Sequence, residues 1–253
     1  MKSYYLFSCL LLAAAANAAV VTISDLSLSA WMSSNPTVSP GTDYYISSDS
    51  GPEGADELLF NNLATTMVYV ENSFGVAGGG ARLSWDITLT PSYSFANTGG
   101  LFWYEDTGDV GRDYLAVRYS DTGVTETNEI FFEANVAGSN INVTLIQDFS
   151  FDGALNFSVE MVYAESNEWV LSGQISSASE VLWDSSQTGT VAIASSILVG
   201  DNDIFFGAND YTQQGGTDPF TRMSGAFGVV PEPAALGLML GLFAGLSVCL
   251  RRR

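Results

Sequence analysis

The chain has 253 residues, 47% of them hydrophobic, and carries 28 acidic against 8 basic residues for a formal net charge of −20. It contains no histidine, which excludes Ser-His-Asp catalysis, imidazole acid–base work and histidine-ligated zinc or copper. So acidic a surface repels nucleic acid and anionic membrane, and a phosphate-tracking role is excluded with it.

Met1-Lys2 gives a positive start, residues 6–16 an apolar run, and Ala16-Asn17-Ala18 a small-x-small cleavage pattern. Residues 1–18 therefore read as a signal peptide, with signal peptidase cutting after Ala18 to leave Ala19 first. Cys9 lies inside the apolar run, with Phe7 where lipidation wants a small residue, so a lipid anchor is not expected. The only other cysteine, Cys249, sits near the far end. Residues 19–229 must then fold without a disulfide, and a domain of that size can bury a sufficient core. Their cations are Arg82, Arg112, Arg118 and Arg222 alone, against 27 of the 28 acids.

Along this domain, residues 35–55 are rich in Pro, Gly, Ser and Asp and read as a long surface loop. Residues 57–63 allow a short helix. From there strict alternation takes over. In Arg82-Leu83-Ser84-Trp85-Asp86-Ile87-Thr88-Leu89 every second side chain is apolar, the period of a half-buried strand. Residues 101–104, 114–119, 130–136, 141–147, 155–161, 169–171, 191–199 and 204–207 read alike. Turn signals separate them: Asn97-Thr98-Gly99-Gly100, Asp121-Thr122-Gly123, Ala137-Gly138-Ser139-Asn140, Asp152-Gly153 and Gly200-Asp201-Asn202-Asp203. Short strands at this spacing make an all-β, antiparallel sandwich or barrel.

Residues 157–163 and 168–173 form one predicted hairpin with an inward Trp169 near its tip. Residues 203–209 then lead through a Gly-rich loop to Phe220-Thr221-Arg222-Met223-Ser224-Gly225 and Phe227. This succession resembles the concanavalin A-like, laminin-G-like jelly rolls, in which late strands return beside the start of the chain. The resemblance covers roughly residues 65–228 and implies a β-sandwich.

Three groups of residues could carry chemistry. In Glu129-Ile130-Phe131-Phe132-Glu133 the two acids share one strand face with Phe131, and paired carboxylates in a groove could cleave a glycoside. Jelly-roll glycosidases of the laminarinase type carry a Glu-x-Asp-x-(x)-Glu pattern on such a strand; here Phe131 replaces the aspartate. The plainer reading is solvated acids flanking a Phe pair, so no catalytic residue is assigned. Asp201, Asn202 and Asp203, with Glu105, Asp106, Asp109 and Asp113, suit a structural calcium ion or simply make turns. No other cofactor is expected. Adjacent aromatics such as Phe102-Trp103 and Phe205-Phe206 must divide their rings between the two strand faces, which leaves room for a sugar-stacking surface outside the core. Asn142 and Asn156 match glycosylation acceptor patterns.

The end of the sequence is the most specific. Val230-Pro231-Glu232-Pro233 is followed by an uncharged apolar stretch, residues 234–250, and by Arg251-Arg252-Arg253. Seventeen helical residues would span about 25 Å, short but sufficient for a bilayer core. Pro233 suits a helix start, and the arginines stop the span on the cytoplasmic side. Gly237, Gly241 and Gly245 make one smooth face, either a helix-packing seam or glycine tolerated in lipid. The three parts in this order resemble the PEP-CTERM sorting signal of Gram-negative bacteria. That resemblance implies processing near the Pro-Glu-Pro motif by exosortase, a membrane-embedded transpeptidase.

The sequence thus predicts a signal peptide (1–18), an acidic β-sandwich ectodomain (19–229) and a sorting signal (230–253). The expected protein is exported, tethered at first to the inner membrane and then released to the cell surface or beyond. It is expected to be a non-enzymatic envelope or biofilm-matrix protein that binds exopolysaccharide. The alternatives are a glycosidase using Glu129 and Glu133, and a purely structural component.

Overall fold

Strands with one apolar face need a second layer to cover it, and the chain supplies two. The computed structural model describes residues 19–33, 40–41, 44–46, 57–61, 66–72, 81–91, 98–105, 113–120, 128–151, 153–164, 166–195, 197–198, 204–210 and 220–230. Among them the strands are β1 (Ala19–Thr22), β2 (Trp31–Ser33), β3 (Tyr44–Ile46), β4 (Leu58–Asn61), β5 (Thr66–Asn72), β6 (Arg82–Thr90), β7 (Thr98–Glu105) and β8 (Tyr114–Ser120). There follow β9 (Glu129–Val136), β10 (Ser139–Gln147), β11 (Leu155–Ala164), β12 (Glu168–Ser177), β13 (Val181–Asp184), β14 (Val191–Ala194), β15 (Ile204–Asp210) and β16 (Phe220–Val230). One helical turn, α1 (Ser185–Thr188), is capped by the Asp184 carboxylate, which accepts from the Ser186 N–H.

A nine-stranded sheet runs β13-β12-β11-β6-β16-β4-β3, with β1 also on β16 and β14 also on β12. A seven-stranded sheet runs β10-β9-β8-β7-β15-β5-β2. The pairing between these strands is antiparallel throughout. The chain is an antiparallel β-sandwich.

Alternation sets what each sheet sends inward. Leu83, Trp85, Ile87 and Leu89 of β6 and Leu155, Phe157, Met161 and Tyr163 of β11 are buried between the layers. Opposite them come Leu101 and Trp103 of β7, Leu115, Val117 and Tyr119 of β8, and Ile130 and Phe132 of β9. At the centre the rings of Phe206 and Phe227 stack at 3.9 Å between centroids, with Trp103 5.2 Å from the first and 5.8 Å from the second. Each such ring adds about 1 kcal/mol of pair geometry to the larger gain from its own burial.

The predicted hairpin is present as β11–β12, from Ala164↔Glu168 to Leu155↔Ser177. Trp169 is fully buried near its tip and donates its indole N–H to the Ile197 carbonyl at 3.1 Å. The late strand does return beside the start: β1 pairs with β16 from Ala19↔Val229 to Thr22↔Ala226.

Four expectations need correction. Residues 58–61 form a strand, not a helix, because β3 and β16 hydrogen-bond to either side and Leu58, Leu59 and Phe60 are all fully buried. Thr98, Gly99 and Gly100 belong to β7 rather than to a turn. A Cβ on Gly99 would stand 2.6 Å from the Tyr119 hydroxyl, and one on Gly100 2.3 Å from the Val117 carbonyl, so here glycine permits close approach. Within the loop expected at 35–55, Tyr44–Ile46 is a strand with Tyr44 buried. The run at 191–199 stops at Ala194, and Leu198 turns with φ 61.

Among the described residues no helix is long and apolar enough to cross a membrane. The predicted signal peptide, Pro231-Glu232-Pro233, the span 234–250, Arg251-Arg252-Arg253 and the pair Asp201 and Asp203 all lie outside the described residues. Val230 is the last residue of β16.

Candidate functional site

The aromatic pairs divide as their adjacency requires. Trp103 and Phe206 enter the main core, while Phe102 and Phe205 point to the other side of the seven-stranded sheet. There they join Ala116 in a second buried apolar cluster, with Met32 and Tyr114 packed against it. The Phe102 and Tyr114 rings meet edge to face, centroids 5.5 Å apart. The outer face of this sheet therefore carries an apolar patch of its own.

Beside it sits a charged pair. Residues 129, 131, 133 and 135 of β9 share the outer face, as do residues 114, 116, 118 and 120 of β8. Register puts Glu133 opposite Ala116 and Phe131 opposite Arg118. Glu133, only 2% exposed, receives Arg118 Nη1 at 3.1 Å on one carboxylate oxygen and 3.4 Å on the other. The Tyr114 hydroxyl donates to it at 2.5 Å. The Arg118 guanidinium lies 5.9 Å from the centroid of Phe102 and 5.7 Å from that of Phe131, within cation–π range of both. Gly100, directly opposite Arg118, is what lets β7 approach that closely.

The fate of the two acids differs from the sequence expectation. Glu129 is half-buried at the start of β9, opposite Ser120 and Gln147. Glu133 is not solvated: it is buried and bound by a cation and a phenol. Between them, where a glycosidase of the laminarinase pattern would hold an aspartate, stands a half-buried phenylalanine beneath a guanidinium. Paired carboxylates act on a glycoside when one can give a proton and the other can attack or activate water. Glu133 is the acceptor at the centre of a buried polar cluster, its carboxylate bound by Arg118 and Tyr114. Arg118 and Tyr114 went unassigned in the sequence. The signal that could have flagged them is that Arg118 is one of four cations in residues 19–229 and shares a strand face with Tyr114 and Ala116.

The acidic loops offer no metal centre among the described residues, where no group of three or more acid or cysteine side chains converges. Glu105 accepts a hydrogen bond from the Leu198 N–H, and Asp113 accepts from the Ala137 N–H at 2.7 Å. Both thus satisfy backbone donors. Asp201, Asp203, Asp106 and Asp109 are outside the described residues.

The outer face of the nine-stranded sheet is different in kind. Ser84, Asp86, Ser158, Glu160 and Ser172 line a shallow depression there, and Arg82 pairs with Glu160 at 3.3 Å, both exposed. Exposed pairs of this sort contribute little.

No family model and no curated protein matches the chain. Solved structures do. A prokaryotic β-1,3-1,4-glucanase (lichenase) derived from a mouse hindgut metagenome aligns over 85% of this chain and 99% of its own, with 11% identity and a TM-score of 0.51. Winged bean acidic lectin, complexed with methyl-α-D-galactose, aligns over 84% of this chain and 98% of its own, with 10% identity and a TM-score of 0.52. At that identity the likeness is one of fold: the sandwich is a concanavalin A-like jelly roll.

Proposed function

We propose that this chain is an exported, non-enzymatic glycan-binding protein of the bacterial envelope or matrix, and that its glycan lies on the outer face of the seven-stranded sheet. The observation that carries the reading is the Arg118–Glu133–Tyr114 cluster set against Phe102 and Phe131. Of this cluster Phe131 and Arg118 reach the surface, with buried Glu133 holding Arg118 from beneath. An aromatic ring beside a fixed cation suits a sugar with one apolar face and many hydroxyls. The same arrangement leaves Glu133 poorly placed to transfer protons. A jelly roll that serves both a lectin and a glucanase elsewhere fits a carbohydrate ligand.

Delivery follows from the two ends. The signal peptide hands the chain to signal peptidase, and exosortase cuts near Val230-Pro231-Glu232-Pro233, residues 234–250 serving as a temporary tether. The β1–β16 ladder supports this sequence of events. Ala19 pairs with Val229, so cuts after Ala18 and beyond Val230 would leave every rung in place.

Two measurements test the proposal. The mature protein from an exosortase-bearing host should have the mass of a chain lacking residues 1–18 and 234–253; retention of the latter would refute the processing step. On a panel of bacterial exopolysaccharides the protein should bind without releasing reducing ends, and Phe131→Ala should reduce binding. Reducing-end release abolished by Glu133→Gln would make it a glycosidase instead.

A further inference from the structure

The edge of the seven-stranded sheet carries a second property. Among the described strands β10 has a single neighbour in its sheet, β9. The two strands are joined by Ala137 and Gly138, both at positive φ (49 and 81), with Val136 opposite Ser139. That is a two-residue type I′ hairpin, whose closing pair exchanges both of its backbone hydrogen bonds. Alternation from that pair directs the backbone groups of Ser139, Ile141 and Val143 toward β9. It directs those of Asn140, Asn142 and Thr144 outward. Edge strands are commonly blunted by Lys, Pro or inward charge. In Ser139–Gln147, SNINVTLIQ, there is none of these.

We propose that β10 pairs antiparallel with β10 of a second copy of this chain, about a two-fold axis at Asn142. In that register Asn142 faces its own counterpart, Asn140 faces Thr144, and Ile141 faces Val143. Both members of each hydrogen-bonding pair are residues whose backbone groups point outward. Asn140, Asn142 and Thr144 of the two strands thereby complete every outward donor and acceptor between them. On one side of the seam Ile141 and Val143 meet as β-branched pairs, the kind that stabilises cross-strand contact. On the other, amides and a hydroxyl meet. Ile141 is 43% exposed in the single chain, and Val181 of β13, which with β14 meets β10 across the sandwich, is 52% exposed. These are two of the three large exposed hydrophobics among the described residues.

Charge selects the partner. Two copies of a chain with a net charge of −20 repel each other nearly everywhere. They can approach where charge is absent, and Ser139–Gln147 is such a stretch. Of the two acids beside it in register, Glu133 is paired with Arg118, and Glu129 stands opposite Gln147, outside the stretch 140–144. The irregularity between Thr144 and Ile146 ends regular pairing there, which confines the seam to about five residues. A two-fold seam uses the same edge of both copies and closes at the dimer. It is small beside a standard interface of about 1,600 Å², so association depends on concentration.

The test uses the full chain with Cys9 and Cys249 changed to Ser. Asn142→Cys should give a disulfide-linked dimer of twice the monomer mass on mild oxidation. Asn140→Cys alone should not, because its symmetry mates lie four residues, or about 13 Å, apart along the seam. Asn140→Cys combined with Thr144→Cys should cross-link. Asn142→Asp, which sets like charges face to face at an exposed position, should weaken the dimer roughly tenfold in sedimentation equilibrium. No cross-link at Asn142→Cys, equal cross-linking by Asn140→Cys alone, or an unchanged dissociation constant for Asn142→Asp would each overturn the proposal.

Discussion

Replacing Arg118 with Met removes the cation from a carboxylate that is 2% exposed and leaves it with the Tyr114 hydroxyl. Uncoupling a buried ion pair in this way costs about 3–5 kcal/mol, because the remaining charge stays desolvated. Arg118 itself is 16% exposed, so water can reach the gap and the lower end applies, about 3 kcal/mol. Glu133→Gln keeps the shape and one acceptor, and loses only the charge-assisted part of the bonds, about 1–2 kcal/mol. With both replaced, the Met stem still packs between Phe102 and Phe131 and no buried charge is orphaned. The double variant should then be no less stable than Arg118→Met alone, a coupling of about 1–2 kcal/mol. Urea unfolding of the four proteins, followed by tryptophan fluorescence, measures the cycle. If the single losses simply add, or if Glu133→Gln costs more than Arg118→Met, the pair is not the coupled buried unit described above.

Gly100→Ala would set a Cβ 2.3 Å from the Val117 carbonyl and 2.8 Å from the Arg118 Cα. Since backbone cannot move aside cheaply, a loss of about 3 kcal/mol or failure to fold is expected by thermal melting. Ala137→Asn places a residue that tolerates positive φ at the first position of the β9–β10 turn, and should raise stability by about 0.5–1 kcal/mol in the same assay. Hydrogen bonds from the Ser186 side chain and N–H hold the Asp184 carboxyl below its ordinary 3.8. A depressed folded value means the contribution is present above 3.8 and is lost as pH falls from there through the folded value. The wild type should therefore lose stability more steeply than Asp184→Asn below that pH, as read by acid titration of the melting temperature.

Much of the sandwich was legible because its strands are amphipathic in the simplest way. Residues 82–89 and 155–161 alternate without interruption, and the structure buries the predicted faces of both. Phe102-Trp103 and Phe205-Phe206 divided between layers as any adjacent pair on a strand must. Where alternation failed, so did the reading. Leu58, Leu59 and Phe60 are consecutive and apolar because β4 is buried on both faces, and such a run has no period to separate strand from helix. Gly99 and Gly100 read as a turn because a glycine pair looks the same whether it permits a bend or the approach of a neighbouring strand. The candidate site was half visible. Glu133 and Phe131 could be placed on one face, yet the partner that buries Glu133 lies fifteen residues away on another strand. That partnership depends on register, which local pattern does not encode.

Hydrogen–deuterium exchange of the protein with and without its bound exopolysaccharide tests the proposed glycan surface most directly. Protection is expected at the backbone amides of β7, β8, β9 and β15 and should be absent from β6, β11 and β12. Protection confined to those last three strands, across the depression lined by Ser84, Asp86 and Glu160, would contradict it.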